Sequence, residues 1–290
     1  MSDLEAALQT ALKTIDEWDV PLHAAAVVTG AGASETLTAV LHGSAEVCGI
    51  ASVTKAVVSY AALMAVEEGL FNLDDSCGPM GSTVRHLLSH ASGLPFEQPE
   101  TSRTVPQTRR VYSNIGFEVL GEFLTERAEM PVAEYLRLGI FEPLSMSSTH
   151  LTGSPAKDLC STVPDLVLFT KELMRPTLLA PKSVEAMRTV QFPDLAGVVP
   201  GFGSQRPCPW GLGLEIKGFK TPHWTAPANS PATFGHFGGS GSLLWVDPVI
   251  DTAFVCLTNR NFGPWAPPLW NALGDRIVEI VANYGPKLRN

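Results

Sequence analysis

The apolar positions at the start of the chain predict a helix, a β-hairpin and a second, buried helix. Residues 4–17 place apolar side chains three and four positions apart, as an amphipathic helix does. Two apolar runs follow, Ala24–Thr29 and Thr36–Leu41, and the glycine-rich residues 30–34 between them favour a hairpin. From Val53 to Glu68 almost every position is apolar, which is typical of a helix covered on all sides.

The middle of the chain has a helical pattern, and its end returns to strands. Between about residues 83 and 190 strand signals are scarce, whereas proline, glycine and aromatic residues after about 192 indicate ordered loops. The predicted middle helices are Val84–His90, Asn114–Glu129, Val132–Ile140, Pro164–Met174 and Ser183–Val190; the predicted closing elements are strands Leu212–Lys217, Ser242–Val246 and Thr252–Leu257 and a helix over about 267–283.

The two predicted hairpins lie at opposite ends of the chain and can pair into one sheet covered by helices. We therefore predict an α/β fold of the α+β type, with an antiparallel sheet flanked by helices and an all-helical second lobe. Residues 1–70 and 195–290 form the predicted sheet lobe, and residues 71–194 form the helical lobe. The cleft between the lobes is the expected place for a functional site.

Composition and charge narrow the class of protein. The chain has 290 residues, of which 45% are hydrophobic and 17% charged, so it can bury a large core and is not intrinsically disordered. Its formal net charge is −9, and Arg109-Arg110 is the only pair of adjacent basic residues. We therefore expect neither nucleic acid nor an anionic membrane surface as a partner.

The sequence shows no targeting or cofactor signal. No basic segment precedes an apolar stretch at the start, and no apolar run is long enough to span a bilayer, so we expect a cytoplasmic protein. The five cysteines are far apart and form no CxxC pair, which favours free thiols over disulfides or zinc. His86 and His90 have the spacing of a metal pair but lack the glutamate of HExxH, and we predict neither a metal nor a cofactor.

The first candidate for chemistry is Ser52 with Lys55, at the start of the predicted buried helix. Residues three apart on a helix face the same side, so the lysine can bond to the serine hydroxyl. Serine is a weak nucleophile without a neighbouring base, and a lysine becomes such a base when burial or a nearby positive charge lowers its pKa. The free N–H groups at a helix start also favour a developing oxyanion.

This spacing alone is weak evidence, because the chain contains a second copy of it. Ser154 and Lys157 have the same separation but follow Gly153 in a loop-like stretch with no apolar helix after them. Placement at the start of a helix therefore favours Ser52 over Ser154 as the nucleophile.

Two further segments carry groups that suit acyl transfer. Tyr112 is followed at +2 by Asn114. A tyrosine near an ammonium group can act as a phenolate or a proton shuttle, and an amide can fix a substrate carbonyl; the alternative is a helix start with the tyrosine merely packing. The segment His236 to Gly241 precedes a predicted strand and is rich in glycine, which lets a ligand approach the backbone; a plain turn is the alternative.

The three motifs in this order form a specific combination: Ser-x-x-Lys on a buried helix, Tyr-x-Asn in the helical middle and His-x-Gly before a late strand. The chain resembles the serine β-lactamase and penicillin-binding protein superfamily in its class C-like branch, which also contains D-aminopeptidases, DD-carboxypeptidases and family VIII esterases. Residues 83–95, Thr-Val-Arg-His-Leu-Leu-Ser-His-Ala-Ser-Gly-Leu-Pro, look like that family's block after the nucleophile helix, and the resemblance extends over about residues 45–260.

The resemblance implies a role for each motif residue. Ser52 is then the acylated nucleophile, Lys55 and Tyr112 are the proton-handling pair, and Asn114 orients the substrate. His236 stands where many relatives have lysine or histidine in the third motif.

The resemblance also implies a backbone contribution from the third motif. Gly238 and Gly239 join the substrate-binding residues, and the backbone N–H groups of Ser52 and Gly239 form the implied oxyanion hole. Because histidine titrates near neutrality, His236 can recognise a carboxylate only when protonated or as a hydrogen-bond donor.

We therefore predict a serine hydrolase that acts through an acyl-enzyme on an ester or amide. Small esters are the favoured substrates, β-lactams come next and D-peptides third, because no export signal is present and a histidine occupies the third motif. One alternative is a protein of the penicillin-binding or D-peptidase type that is acylated with little turnover. Another is a non-catalytic binding module on the same fold. The oligomeric state is left open.

Overall fold

The helices and strands follow one another in blocks along the chain. The structure is a computed structural model that describes residues 2–30, 36–97 and 104–284. Residues 31–34 of the predicted hairpin loop lie outside the described residues. The helices are α1 (Asp3–Leu12), α2 (Thr54–Glu67), α3 (Val84–Leu88), α4 (Asn114–Ala128), α5 (Val132–Leu136), α6 (Val163–Met174), α7 (Pro181–Met187) and α8 (Ala266–Tyr284). The strands are β1 (Ala24–Thr29), β2 (Thr38–Gly43), β3 (Cys48–Gly49), β4 (His150–Leu151), β5 (Leu159–Ser161), β6 (Gly197–Val199), β7 (Gly203–Gln205), β8 (Glu215–Ile216), β9 (Phe234–Gly238), β10 (Ser242–Asp247) and β11 (Thr252–Leu257).

One antiparallel sheet of six strands joins the two ends of the chain. Its order is β2-β1-β11-β10-β9-β8, and β1 pairs with β11 so that Ala24 lies opposite Leu257 and Thr29 opposite Thr252. The remaining described strands form two small sheets, β3-β5-β4 and β6-β7. The predicted fold class is confirmed, and the proposed boundaries of the two lobes stay a prediction.

The central sheet is covered on both faces. Successive side chains of a strand point to opposite faces, so Ala24, Ala26 and Val28 of β1 enter one core while Ala25 and Val27 enter the other. The first core includes most of α2, α4 and α6, and the second includes the apolar faces of α1 and α8. This double cover explains why all six residues of β1 are buried.

The helix α2 is buried on nearly every side, as its apolar pattern predicts. All residues from Thr54 to Leu63 are buried, and Lys55 is among them. A lysine in such a position needs polar partners, because an isolated buried charge is costly. None of the helices in the described ranges combines the length and apolar content needed to cross a bilayer.

The third motif lies differently from its prediction. The sequence pattern predicts that the segment from His236 to Gly241 precedes a strand, but Phe234 to Gly238 themselves form the strand β9, which pairs with β10 on one side and β8 on the other. Pairing in the middle of the sheet outweighs the low strand preference of its glycines. His236 is therefore fixed inside a strand. The predicted strand Leu212–Lys217 shortens to Glu215–Ile216.

Candidate active site

Ser52 lies in a single 3₁₀ turn, Ala51–Val53, that leads directly into α2. The residue before Ser52 has a φ of 46°, a left-handed conformation that is uncommon for a residue other than glycine. The turn is held from two sides, because the Ser242 hydroxyl donates to the Ile50 carbonyl at 2.6 Å and the Ile50 N–H donates to the Leu159 carbonyl at 2.9 Å. A partly exposed serine is thus presented on a fixed turn at the start of a helix.

Lys55 lies one helical turn further on and is 0% exposed. Its Nζ donates to Ser52 Oγ at 3.2 Å, to Asn114 Oδ1 at 2.6 Å and to the Ala156 carbonyl at 2.8 Å. No carboxylate of the described residues bonds to it. The ammonium group therefore has its three hydrogen-bond partners but no counter-charge in contact.

This setting changes the acidity of Lys55. Burial lowers its pKa from 10.5 to about 7, and the positive charge of Lys157 acts in the same direction. The carboxylates of Glu118 and Glu97 oppose the shift without cancelling it. A substantial fraction of Lys55 is therefore neutral near pH 7 and can accept a proton.

Tyr112 comes two residues before α4 and faces both motifs. Its ring centroid is 4.9 Å from Lys55 Nζ, and its Oη is 3.5 Å from His236 Nε2. Burial raises the pKa of Tyr112, and a hydrogen bond with Ser52 opposes that shift. The phenol therefore keeps its proton at neutral pH, which suits a proton donor and argues against the phenolate form.

Asn114 opens α4 after the N-cap Ser113, whose hydroxyl accepts from the Gly116 N–H at 2.9 Å. The Asn114 amide is 6% exposed and is oriented at both ends. Its oxygen accepts from Lys55, and its Nδ2 donates to Glu97 Oε1 at 3.1 Å. The second Nδ2 hydrogen has no acceptor in the part of the chain that the structure describes, so it is available to a ligand.

His236 is 3% exposed within β9. Its Nδ1 lies 2.6 Å from the carbonyl oxygen of Phe237, and its Nε2 faces Tyr112. Burial and the charge of Lys55 lower the pKa of His236 to about 3, although the Phe237 carbonyl and Glu215 oppose the shift. The imidazole is therefore neutral at physiological pH.

The end of β9 touches the turn that carries Ser52. A Cβ at Gly238 would meet the Ile50 carbonyl at 2.5 Å and the Ala51 Cβ at 3.0 Å, so only glycine allows this approach of the two backbones. Gly239 follows at the exposed corner. The structure thus brings all seven predicted site residues to one place.

Two neighbours of the site, Glu97 and the carbonyl of Ala156, were missed in the sequence. Glu97 and the Ala156 carbonyl carry no signal, because one resembles any surface acid and the other is backbone. Trp210 and His90 form an aromatic wall behind Tyr112, with the Trp210 ring 4.9 Å from His90 and 5.9 Å from Tyr112. Their aromatic character alone does not separate this role from core packing.

A cavity of about 260 Å³ opens beside Tyr112. Its lining is mainly apolar and includes Phe96, Val111, Val198 and Pro200 together with the Tyr112 ring. Among the seven predicted site residues, Tyr112 is the one that lines this cavity.

The fold and this site define a protein of the β-lactamase and penicillin-binding class, with serine and lysine on one helix. The chain belongs to the β-lactamase family, whose model, described as Beta-lactamase, matches residues 22–278. The predicted family is thereby confirmed.

Relatives of known structure and name support the same assignment. A β-lactamase from Mycobacterium bovis is 46% identical, with a TM-score of 0.89 over 95% of this chain and 100% of that chain. A D-amino acid amidase from Ochrobactrum anthropi, complexed with L-phenylalanine, shares the fold at 20% identity, with a TM-score of 0.73 over 97% and 99% of the two chains. A Salmonella gallinarum protein that carries the name of a D-alanyl-D-alanine carboxypeptidase is 25% identical over 213 residues, 57% of this chain and 49% of the relative. The chain spans about half the length of the curated relatives it matches.

Proposed function

We propose that the chain is a serine hydrolase that acts on small esters or amides through an acyl-enzyme on Ser52. The observation that carries this proposal is the buried Lys55, whose Nζ lies 3.2 Å from Ser52 Oγ with no carboxylate of the described residues bonded to it. A lysine with a pKa of about 7 is a suitable base for a serine hydroxyl at neutral pH.

Acylation forms a bond between Ser52 Oγ and the carbonyl carbon, while the Oγ proton moves to neutral Lys55. The carbonyl oxygen becomes negative, and the N–H groups of Ser52 and Gly239 are its proposed donors. When the C–O or C–N bond breaks, the leaving atom takes the proton of Tyr112 Oη, and the proton held by Lys55 restores the phenol. The raised pKa of Tyr112 suits this order, because the phenol keeps its proton until a more basic atom develops.

Water then completes the cycle. It adds to the acyl carbonyl, gives a proton to the same pair of residues, and the bond to Ser52 Oγ breaks with return of a proton to that oxygen. One water is consumed, and one acid and one alcohol or amine are released. The available Nδ2 hydrogen of Asn114 is the proposed donor to a carbonyl of the acyl group.

β-Lactams are the second candidate substrate, favoured by the 46% identity to the Mycobacterium bovis protein named as a β-lactamase. A β-lactam is a cyclic amide, so Ser52 would open it by the same steps with the leaving nitrogen still attached. Slow hydrolysis of that adduct would give a protein of the penicillin-binding type.

Intact-mass measurement tests the proposal. The protein is incubated with a fluorophosphonate and, separately, with a penicillin. We expect a single fluorophosphonate adduct on the wild type and on Ser154→Ala, and none on Ser52→Ala. Ser154→Ala is the matched control, because Ser154 has the same Ser-x-x-Lys spacing.

The penicillin arm separates the candidate activities. A persistent penicillin adduct indicates a penicillin-binding protein, an adduct that is quickly lost indicates a β-lactamase, and labelling by the fluorophosphonate alone indicates an esterase or amidase. A folded wild type with no adduct from either reagent contradicts the proposal and favours a non-catalytic binding module.

A further inference from the structure

The ring nitrogens of His236 are both engaged inside the protein. A carbonyl oxygen can only accept, so the 2.6 Å contact with the Phe237 carbonyl places the ring proton on Nδ1. The Nε2 atom is then an acceptor, and it faces the hydroxyl of Tyr112 at 3.5 Å. In this tautomer His236 orients the proton donor of the site and offers no N–H to a substrate.

Burial, supported by the positive charge of Lys55, lowers the pKa of His236 and keeps the imidazole neutral. The nearby Lys55 cannot supply a negative charge to stabilise a protonated imidazole. The carboxylate of Glu215 favours the protonated form of His236, but it already forms ion pairs with Lys220 and with His223 if that histidine is protonated. The rings of Tyr112 and Trp210 close the remaining sides at centroid distances of 5.8 Å each. The third motif therefore supplies no cation.

Other cations near the reacting atoms are also occupied. Lys55 has its three hydrogen-bond acceptors, and Lys157 pairs with Glu97 at 3.4 Å. Arg110 donates to backbone carbonyls, among them that of Cys208 at 2.7 Å. Among the described residues that face the reacting atoms, a substrate carboxylate beside the scissile bond would thus meet apolar walls and Glu97 in place of a positive charge.

The cavity beside Tyr112 is a suitable place for the leaving group of the substrate. Tyr112 is the proposed donor to the leaving atom, so the group attached to that atom extends toward the cavity. Phe96, Val111 and Val198 offer it apolar surface. Arg109 lies exposed at the cavity rim and bonds to none of the described residues.

We propose that the site selects uncharged esters or amides whose apolar leaving group occupies the cavity beside Tyr112, and that it disfavours substrates with a carboxylate next to the scissile bond. The inference rests on the proposed function and names its substrate class. Penicillins and peptides ending in D-alanine carry such a carboxylate, so both rank below neutral esters.

A pair of matched esters tests this inference on the whole protein. Methyl 3-acetoxybenzoate and 3-acetoxybenzoate share the acetyl group and an aryl leaving group of similar reactivity, and only the second has a carboxylate. After correction for spontaneous hydrolysis in buffer, we expect kcat/KM of the neutral ester to be higher by at least about tenfold, because a carboxylate without a partner is costly to bury. Equal values, or a preference for the carboxylate ester, overturn the inference.

Substitutions at the exposed Val198 sharpen the test without disturbing the core. Val198→Lys places a cation on the cavity wall, and Val198→Gln is its neutral control. We expect the lysine variant to turn over the carboxylate ester about tenfold faster than the glutamine variant, while both variants lose activity toward the neutral ester to a similar extent because both remove apolar surface from the cavity. If the two variants turn over the carboxylate ester at the same rate, this result counts against the cavity as the leaving-group subsite.

Arg109→Gln tests the unpaired cation among the described residues that line the cavity. We expect it to leave the ratio between the two esters within about twofold of the wild type. If the wild type prefers the carboxylate ester and Arg109→Gln removes that preference, Arg109 is a carboxylate receptor and the inference is wrong. The fluorophosphonate carries no carboxylate, so its reaction with Ser52 does not depend on this inference. If Ser52 is labelled but the protein does not prefer the neutral ester, only this inference is wrong. If Ser52 is not labelled and neither ester is hydrolysed, the proposed function is wrong.

Discussion

The two Ser-x-x-Lys segments of this chain share a spacing and differ in almost everything around it. In the first, Lys55 is fully buried at the start of α2 and bonds to Ser52. In the second, Lys157 is 47% exposed between β4 and β5 and lies 3.4 Å from the carboxylate of Glu97. Among the described residues, Lys55 has no carboxylate in contact, whereas Lys157 has one and is also open to solvent.

The serines differ as well. The Ser154 hydroxyl donates to the carboxylate of Glu118 and accepts from the Ala156 N–H at 3.1 Å, so it stabilises its own loop. Ser52 instead bonds to Lys55 and lies within hydrogen-bonding reach of Tyr112. A buried lysine beside the hydroxyl is present only in the first segment, whereas the hydroxyl of Ser154 is held by a carboxylate and a backbone N–H.

The second segment nevertheless contributes to the first. The carbonyl of Ala156, inside the second segment, accepts from Lys55, and the charge of Lys157 lowers the pKa of Lys55. The comparison shows that burial and neighbours, and not spacing, distinguish the surroundings of the two serines. It also shows that an exposed lysine can matter by acting on a buried one.

The largest expected difference between the segments is catalytic. Lys55→Met should lower kcat for methyl 3-acetoxybenzoate by about 10²–10⁴-fold, because Ser52 loses its general base. Lys157→Met should change kcat by less than about threefold at pH 8, since its effect is a small electrostatic one. Steady-state kinetics with circular dichroism as a check of folding measures both, and similar losses in the two variants would remove the distinction.

The second difference is in stability and its dependence on pH. Unfolded Lys55 holds its proton up to about 10.5, whereas folded Lys55 holds it only below about 7. The unfolded chain therefore binds more protons between these values, and this residue's contribution to folding stability rises with pH across that window. Relative to Lys55→Met, the wild type should gain about 2 kcal/mol in the free energy of unfolding between about pH 7 and 9.

Urea denaturation at a series of pH values measures this gain. Lys157→Met is the control, since Lys157 is exposed, and its difference from the wild type should stay nearly constant with pH. A constant difference for Lys55→Met as well would mean that Lys55 is not held with a lowered pKa.

The third difference concerns the serine of the second segment. Ser154→Ala removes the hydrogen bonds to Glu118 and to the Ala156 N–H. We expect a loss of about 1 kcal/mol in the free energy of unfolding, with kcat and Ser52 labelling unchanged within about twofold. Thermal and urea denaturation beside the kinetic assay check this, and a large loss of labelling would show that the loop does more than support Lys55.

The smallest expected effect is a shift of the pH-rate profile. It is the most specific one, because its direction should be opposite in two variants. Activity requires neutral Lys55, so kcat/KM should fall as pH decreases through about 7. Lys157→Met removes a positive charge and should move this limb to higher pH, whereas Glu118→Gln removes a negative charge and should move it to lower pH, each by about a few tenths of a pH unit. Shifts in the same direction in pH-rate profiles would exclude Lys55 as the group that titrates.

Much of the fold could be predicted from local sequence patterns. The apolar run of α2 and the hairpin strands β1, β10 and β11 follow from periodicity over a few residues, and the observed bounds differ little from the predicted ones. Ser52 lies in the 3₁₀ turn that leads into α2 and Lys55 in the first turn of α2, three residues on, so their contact also follows from local geometry.

The parts that escaped prediction depend on contacts far apart in the chain. The strand character of β9 comes from pairing with β8 and β10, against the preference of its glycines. Glu97, the Ala156 carbonyl and the tautomer of His236 depend on which groups the folded chain places within 3–4 Å. No spacing along the sequence encodes them.

The hydrogen bond from the Ser242 hydroxyl to the Ile50 carbonyl joins positions 192 residues apart. It links the turn that carries Ser52 to the hairpin of β10 and β11, which is synthesised well after that turn. While the chain is still on the ribosome, Ser52 and Lys55 are already present, but β9 and β10 are not yet in place beside them. Reactivity of Ser52 should therefore report that the whole sheet has closed, which makes this serine a built-in probe of complete folding.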